Sequence, residues 1–263
     1  MPLEFIPERM SLMVTLSFII NLLGIQPYLS AKGINYQSLL AFCLVWGMGG
    51  AFISLGFSRV MAKWMMGVQV ISPDERDPKL QDLMRRIHQL AGGAGLSTMP
   101  KVGIYDSPEI NAFATGPSKS RSLVAISTGL LEHMNRNETE GVLAHEVAHI
   151  ANGDMVTMTL IQGVVNAFAM FLSRAIAFAV AQIGGKDDER NEGGGFSSLT
   201  FIVTQIILEI IFIILGSIIV AWFSRKREYR ADRGGATCTG REKMIAVLQA
   251  LKNNYVSGAA LVF

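Results

Sequence analysis

The stretch Leu143-Ala-His-Glu-Val-Ala-His-Ile-Ala-Asn-Gly-Asp154 carries two histidines four residues apart. On a helix, His145 and His149 leave the same face, so both imidazoles can reach one metal ion. Glu146 lies beside them and can act as general base for a water that attacks a carbonyl. This spacing is the H-E-x-x-H motif, and it predicts a zinc site on a helix. The alternative interpretation is a buried helix whose histidines only pack.

The residues around the motif predict where its helix begins and ends. Asn137, with Glu140 three residues later, predicts an N-cap followed by a carboxylate at the N3 position. Asn152-Gly153 predicts the end of the helix. The apolar side of this helix is formed by Val142, Leu143 and Val147.

A third metal ligand is expected downstream of the motif. The run Arg227-Glu-Tyr-Arg-Ala-Asp232 places Glu228 and Asp232 one helical turn apart. One carboxylate can bind the ion while the other orients a ligand histidine. Acidic side chains on a basic helix usually just face solvent, but their combination with the histidine motif favours the ligand interpretation.

The composition is that of a membrane protein. Half of the 263 residues (50%) are hydrophobic, and the net charge is only +2. The mean hydropathy of +0.37 is too high for an ordinary soluble domain. The small net charge gives no indication of a nucleic-acid surface. Cys43 and Cys238 are far apart, which predicts neither a disulfide framework nor a cysteine zinc site.

Four apolar stretches are long enough to cross a bilayer core of about 30 Å. They cover residues 10–29, 38–57, 155–183 and 199–223. The first is the weakest because it contains Asn21 and Pro27, and a cleavable signal peptide is the competing interpretation.

The residues between the second and third apolar stretches have the pattern of an α+β domain. An apolar stripe predicts a helix over residues 77–94, and three short β-rich runs predict strands at 101–105, 111–115 and 122–127. His88 and His133 are expected to pack or face solvent, with a substrate or zinc role for His133 as the alternative.

Charge asymmetry predicts the orientation in the membrane. Two apolar stretches separate His149 from Glu228, so two crossings return the chain to the same side. Basic residues mark cytoplasmic segments. They follow the second and fourth stretches at Arg59, Lys63, Arg225, Lys226, Arg227 and Arg230. The opposite segments hold Lys32, Lys186 and Arg190, the last two among acidic residues. The sequence therefore predicts cytoplasmic termini and a cytoplasmic metal site.

Two charged residues lie inside the third and fourth apolar stretches. Charged groups in a bilayer are costly and usually face protein or water. Arg174 and Glu209 are expected to form a structural pair, and a polar patch that contacts membrane substrate is the alternative.

Three motifs together resemble a known family. His-Glu-Val-Ala-His-Ile-Ala-Asn-Gly-Asp at 145–154, Arg-Glu-Tyr-Arg-Ala-Asp at 227–232 and Asn-Ala-Phe-Ala-Thr-Gly at 111–116 look like the HtpX membrane metalloproteases, of the gluzincin type. The resemblance runs from the first apolar stretch to about Leu251. It implies an α-helical integral membrane protein with four transmembrane helices and a cytoplasmic α+β gluzincin-like protease domain.

The resemblance also implies roles for individual residues. His145, His149 and Glu228 would bind one Zn²⁺ per chain, with Glu146 as catalytic base and Asp232 orienting a zinc histidine. The substrate-binding edge strand would comprise Asn111, Ala112, Phe113, Ala114, Thr115 and Gly116.

The implied protein is a multi-pass zinc endopeptidase of the bacterial inner membrane, acting in quality control and stress response. Its partners would be the lipid bilayer and polypeptide substrates, chiefly membrane proteins, with no nucleic acid. Residues 1–59 and 155–223 would form membrane hairpins. Residues 60–154 and 224–263 would form the protease domain, the latter part carrying the third ligand.

The sequence departs from the family at one place. Members usually continue past the region of Lys252 with a His-Pro-Pro stretch, whereas this sequence ends at Phe263. A proteolytically silent zinc-binding or chaperone-like membrane protein is therefore the first alternative. A transporter or channel with polar spans is the second.

Overall fold

The structure, a computed structural model, describes residues 29–30, 33–184 and 195–259. Its helices are α1 (Tyr36–Met65), α2 (Pro78–Gly93), α3 (Thr128–His133), α4 (Arg136–Asn152), α5 (Asp154–Gly184), α6 (Gly195–Thr239) and α7 (Arg241–Ala259). Its strands are β1 (Leu29–Ser30), β2 (Gly33–Ile34), β3 (Gln69–Val70), β4 (Lys101–Tyr105), β5 (Ala112–Ser118) and β6 (Arg121–Ser127).

The chain forms two compact units. One comprises residues up to Ile53 together with Thr159–Trp222, and we call it the apolar unit. The other comprises Ser54–Met158 and the residues from Phe223 onward, and we call it the sheet unit because it contains the strands β3 to β6.

Among the described residues, three helices are long and apolar enough to cross a membrane. They are α1, α5 over Asp154–Gln182, and α6 over Leu199–Thr239. The predicted apolar stretches at 38–57, 155–183 and 199–223 fall within these helices. The predicted first span at 10–29 lies outside the described residues, apart from its last residue in β1.

Small residues bring the helices of the apolar unit close together. A Cβ atom on Gly47 would lie 2.6 Å from the backbone nitrogen of Ala167, so α1 and α5 cross where neither has a bulky side chain. By contrast, α6 exposes Ile207, Ile214 and Ile218, each by more than half. Such a surface suits lipid, since a bilayer solvates apolar side chains.

The predicted contact between the charged residues of the apolar unit is present. Arg174 Nη1 lies 3.5 Å from Glu209 Oε2. The same guanidinium donates to the carbonyl of Met170 at 3.0 Å and lies 5.7 Å from the centre of the Phe42 ring. The pair therefore joins α5 to α6 and also contacts α1.

The sheet unit is built on a mixed sheet of four strands in the order β3-β4-β6-β5. Strand β4 runs parallel to β6, whereas β3 and β5 pair antiparallel to their neighbours. The three predicted strands are present, with β5 extending beyond its predicted end. The two-residue β3 is too short for its periodicity to be recognised in sequence. Strand β5 lies at the edge of the sheet.

Two helices cover one face of this sheet. Ile87 of α2, Ile126 of β6, and Leu143 and Ile150 of α4 are fully buried in one hydrophobic cluster. Val247 of α7 belongs to the same cluster. Helix α4 is therefore packed among the sheet, α2 and α7.

Candidate metal centre and active site

The helix that carries the histidine motif begins two residues earlier than predicted. Its N-cap is Asn135, whose side chain accepts from the Glu138 N–H at 3.0 Å, while Glu138 accepts from the Asn135 N–H at 2.9 Å. The prediction of Asn137 as N-cap is wrong. Both asparagines precede a glutamate at the correct spacing, but Asn137 lies within the first turn, and Glu140 instead pairs with Lys243 at 2.9 Å.

The helix ends where the sequence predicts. Gly153 has φ 73°, and its N–H contacts the carbonyls of His149 and Ile150, so it caps α4 in the left-handed conformation. The Lys119 ammonium donates to the Ala151 carbonyl at 2.5 Å. The chain changes direction at Gly153, and Asp154 begins the next helix facing back toward His149.

Helix α6 brings the predicted third ligand to the histidines. Two of its glycines, Gly234 and Gly235, lie against α4. A Cβ atom on Gly234 would lie 2.8 Å from the Cβ of Ala148, and one on Gly235 would lie 3.2 Å from the backbone nitrogen of His145. These glycines allow the close approach of the two helices, a role that sequence analysis missed.

Three ligand atoms converge within the sheet unit. His145 Nε2 lies 3.1 Å from His149 Nε2 and 3.2 Å from Glu228 Oε2, and His149 Nε2 lies 3.4 Å from the same oxygen. Ligands placed tetrahedrally at about 2.0–2.1 Å from zinc are roughly 3.3–3.4 Å apart. The three atoms are therefore close enough to one another to bind a single metal ion.

A carboxylate oxygen lies within hydrogen-bond distance of the Nδ1 atom of each histidine. His145 Nδ1 lies 2.9 Å from Asp232 Oδ1, and His149 Nδ1 lies 2.7 Å from Asp154 Oδ2. When each Nδ1–H donates to its carboxylate, each neutral imidazole presents the Nε2 lone pair to the centre. Sequence analysis singled out Asp232 for such a contact and missed Asp154, which is 2% exposed.

The convergence favours a cation. With both Nδ1 atoms acting as donors, His145 Nε2, His149 Nε2 and Glu228 Oε2 are three acceptors with no hydrogen between them. Burial and the neighbouring His149 lower the pKa of His145, which keeps that imidazole neutral and able to bind a metal. An ion at the centre satisfies all three acceptors at once.

The second oxygen of Glu228 is held by a cation. Arg227 Nη2 donates to Glu228 Oε1 at 2.6 Å, and Nε donates to the same atom at 3.2 Å. Burial alone would raise the pKa of Glu228, but this hydrogen bond and the neighbouring histidines outweigh burial and lower it. The carboxylate is therefore kept ionised, and its Oε2 is left facing the histidines.

Glu146 has an environment that differs from that of the ligands. Burial raises its pKa to about 8, although a hydrogen bond from the Ala114 backbone acts in the opposite direction. A carboxyl group with a pKa near neutrality can both accept and return a proton. The contact with Ala114 also places β5 beside the candidate base.

Most of the predicted substrate segment lies in this edge strand. Residues 112–116 belong to β5, whereas Asn111 precedes the strand and is held by Ser127, whose N–H donates to the Asn111 carbonyl at 3.0 Å. Gly116 has φ 141°, and a Cβ atom there would lie 2.2 Å from the Arg121 carbonyl oxygen. The pairing of β5 with β6 is irregular after Thr115.

The other two histidines lie outside the cluster. His133 Nδ1 is 2.8 Å from the Gly129 carbonyl, and His88 Nε2 is 3.1 Å from the Pro100 carbonyl. Both contacts fit the predicted packing roles.

Comparisons with known proteins agree with this geometry. Residues 76–257 match the family model described as Peptidase family M48. The Protease HtpX homolog of Thiobacillus denitrificans is 50% identical over 249 residues, which cover 95% of this chain and 83% of the relative. The Protease HtpX homolog of Bacillus subtilis is 50% identical over 243 residues, which cover 91% of this chain and 79% of the relative.

A solved structure shares the fold. The crystal structure of S. mikatae Ste24p superimposes with a TM-score of 0.58 at 17% identity, covering 95% of this chain. The chain spans 59% of the length of that protein. The matched family model and the identity to the curated relatives, each over most of the chain, show that the chain belongs to peptidase family M48 and, within it, to the HtpX membrane metalloproteases.

Proposed function

We propose that this chain is a zinc-dependent endopeptidase that hydrolyses polypeptides at the centre formed by His145, His149 and Glu228. The observation that carries the proposal is the convergence of two histidine nitrogens and one carboxylate oxygen, at 3.1–3.4 Å from one another, beside a glutamate. Two nitrogens and one carboxylate oxygen, with space for a water, form the donor set of a catalytic zinc site. Zinc, when bound there, supplies Lewis-acid charge stabilisation and acidifies water.

The proton transfers fall to Glu146. Its carboxylate takes a proton from the water that attacks the scissile carbonyl and returns that proton to the leaving amine. Asp232 and Asp154 keep the histidine Nδ1 atoms protonated, and Arg227 holds Glu228 Oε1, so the ligands stay oriented during the reaction.

The edge strand β5 offers a route for substrate. An extended peptide can add to a free strand edge through main-chain hydrogen bonds, which give affinity without demanding one sequence. Since Ala114 contacts Glu146, a peptide paired with β5 has its backbone close to the catalytic base. In this proposal, residues 111–116 bind the substrate backbone.

We further propose that the protein lies in the bacterial inner membrane with its active site in the cytoplasm. The support is the excess of basic residues that follow the second and fourth apolar stretches. Residues 1–59 and 155–223 then form the two membrane hairpins, and residues 60–154 and 224–263 form the protease domain. Damaged or misfolded membrane proteins are the proposed substrates, since they share the bilayer with the enzyme.

Two alternatives account for less of the structure. Family membership does not favour a proteolytically silent protein, and such a protein has no need for a half-buried glutamate with a raised pKa beside the ligands. A transporter has no need for oriented histidines within the sheet unit.

Zinc-restored proteolysis tests the proposal. The detergent-solubilised protein is stripped with chelator, and zinc is then added to the wild type and to Glu146→Gln. We expect wild type to cleave casein only with zinc, and Glu146→Gln to bind zinc without cleaving. Zinc binding by both proteins with no cleavage of casein or of a membrane-protein substrate would refute the protease proposal.

A further inference from the structure

A cavity of about 310 Å³ in the sheet unit is lined by α2, the beginning of α4 and the end of α6, and we call it the arginine cavity. Two arginines line it, Arg86 of α2 and Arg136 of α4, together with Gln89 and Cys238. Arg136 precedes His145 by nine residues, which is about 14 Å along a helix. The arginine cavity is therefore distinct from the metal centre.

The arginines at this cavity outnumber the carboxylate that balances them. Asp82 Oδ2 lies 3.1 Å from Arg86 Nε and 3.8 Å from Arg136 Nη2. The other oxygen of Asp82, Oδ1, lies 3.8 Å from Nη1 of Arg85. Three positive charges against one negative charge leave an excess of two positive charges beside the cavity.

A second carboxylate at the cavity does not remove this excess. Glu140 also lines the cavity, but Lys243 Nζ lies 2.9 Å from its Oε2, so this pair is neutral as a whole. In the part of the chain that the structure describes, Asp82 is the one carboxylate that forms an ion pair with any of the three arginines. The cavity therefore keeps a net positive charge.

Arg86 places a poorly satisfied donor at this cavity. Its side chain is 18% exposed, and its Nε is buried without a hydrogen-bond partner, although Asp82 Oδ2 is close. A guanidinium group carries several N–H donors in a planar fork that matches a phosphate group and can bind it through two parallel hydrogen bonds. Because an unsatisfied buried donor is costly, an anion in the cavity stabilises the arrangement.

Charge and size together select the ligand. An apolar molecule would remove water from two arginines without offering them hydrogen bonds. A carboxylate would balance one of the two excess charges, whereas a phosphate group carries up to two negative charges near neutral pH and several strong acceptor oxygens. A dry cavity of about 150 Å³ holds benzene, so about 310 Å³ is sufficient for a phosphate group.

We propose that the arginine cavity binds a phosphate group between Arg86 and Arg136. This site lies outside the proposed protease centre, and its existence does not depend on proteolysis. A free phosphate-bearing solute and the headgroup of a phospholipid offer the same chemistry. Cys238 belongs to the lining, so the reactivity of its thiol reports whether the cavity is occupied.

Isothermal titration calorimetry tests the proposal on the zinc-loaded chain in detergent, with inorganic phosphate as ligand and chloride of equal ionic strength as reference. We expect saturable binding of phosphate. Arg86→Gln should weaken it at least about tenfold, the order expected for loss of hydrogen bonds to a charged group. Arg136 is 72% exposed, so Arg136→Gln should weaken binding about threefold without disturbing the core.

Arg85→Gln is the matched control. It removes the same charge from the same helix and also faces Asp82, but Arg85 does not line the cavity. We expect it to change the affinity by less than about twofold. If Arg86→Gln does not fold, the comparison of Arg136→Gln with Arg85→Gln decides the question.

Alkylation of Cys238, read by mass spectrometry, locates the bound phosphate. Phosphate should slow the modification in the wild type and in Arg85→Gln, and should have little effect in Arg86→Gln at the same concentration. Cys43 is buried and is the internal reference. Because the readout is local, binding of phosphate elsewhere on the protein does not imitate it.

Nanodiscs distinguish the two sources of the phosphate group. Without added phosphate, slower alkylation of Cys238 in phosphatidylglycerol than in phosphatidylcholine, lost in Arg86→Gln, identifies a lipid headgroup. Protection by inorganic phosphate alone identifies a solute, and either result supports the site. Absence of protection from both sources, or phosphate binding that the cavity variants weaken no more than Arg85→Gln does, overturns it. Zinc-dependent cleavage of casein is unaffected by these outcomes.

Discussion

Asp154→Asn is expected to weaken zinc binding more than Asp232→Asn does. Each aspartate accepts a hydrogen bond from the Nδ1 of one ligand histidine, at 2.7 Å for Asp154 and 2.9 Å for Asp232. Asparagine keeps the shape and an acceptor oxygen but removes the negative charge that raises the basicity of the imidazole. The two positions differ in their access to water.

The magnitude follows from burial. Loss of such a carboxylate typically costs about 10- to 100-fold in metal affinity. The Asp154 side chain is 3% exposed, so no water replaces its charge, and we expect a loss near 100-fold, or about 2.8 kcal/mol. The Asp232 side chain is 32% exposed, and solvent screening reduces the expected loss to about tenfold.

The assay is competition with a fluorescent zinc chelator on the detergent-solubilised wild type and variants. Asp82→Asn is a suitable control because Asp82 pairs with Arg86 on α2, away from the metal centre. Unchanged affinity in Asp154→Asn, or a larger loss in Asp232→Asn, would refute the reasoning that burial sets the strength of these contacts.

The remaining predictions concern stability. Gly153→Ala is expected to lower the free energy of unfolding by about 1–2 kcal/mol, because Gly153 has a left-handed φ of 73°. Gly92→Ala is the control and should not lower it, since a Cβ atom there lies in open space on a helix. Equal changes in the melting temperatures of the two variants would contradict the argument. Burial raises the pKa of Glu146, so between about pH 4.5 and pH 8 the unfolded chain ionises this group while the folded protein keeps it protonated. The metal-free protein should therefore lose stability as the pH rises through this range. Glu146→Gln should remove that loss. If the melting temperatures of the wild type and of Glu146→Gln fell equally across this pH range, Glu146 would not be its cause. Glu209→Gln leaves Arg174 without its carboxylate partner and should lower the melting temperature. Adding Arg174→Gln to this variant should restore part of the loss. A double variant whose loss of stability equals the sum of the losses in the two single variants would argue against a structural pair.

The local parts of the site were predictable because they follow from helix periodicity and ligand chemistry. Two histidines four residues apart on a helix share one face wherever that helix lies. The end of α4 at Gly153 and the strands at the centre of the sheet were likewise marked by their own residues. The helix start was mispredicted because two asparagines offer the same capping pattern, and only the tertiary surroundings of Glu140 distinguish them.

The sequence by itself determined the chemistry of the centre and the apolar character of the long helices, since residue type and spacing suffice for both. Only the tertiary structure decided how α4 and α6 meet. Their close approach depends on Gly234 and Gly235, and nothing in the local sequence shows which helix packs against these glycines. It also decided that Asp154 contacts His149, because the chain reverses at Gly153, and that α7 lines a cavity beside Glu146. The His149–Asp154 contact spans five residues but depends on the left-handed conformation of Gly153, and the Lys243–Glu140 contact of α7 joins residues 103 positions apart, so neither follows from the periodicity of one segment.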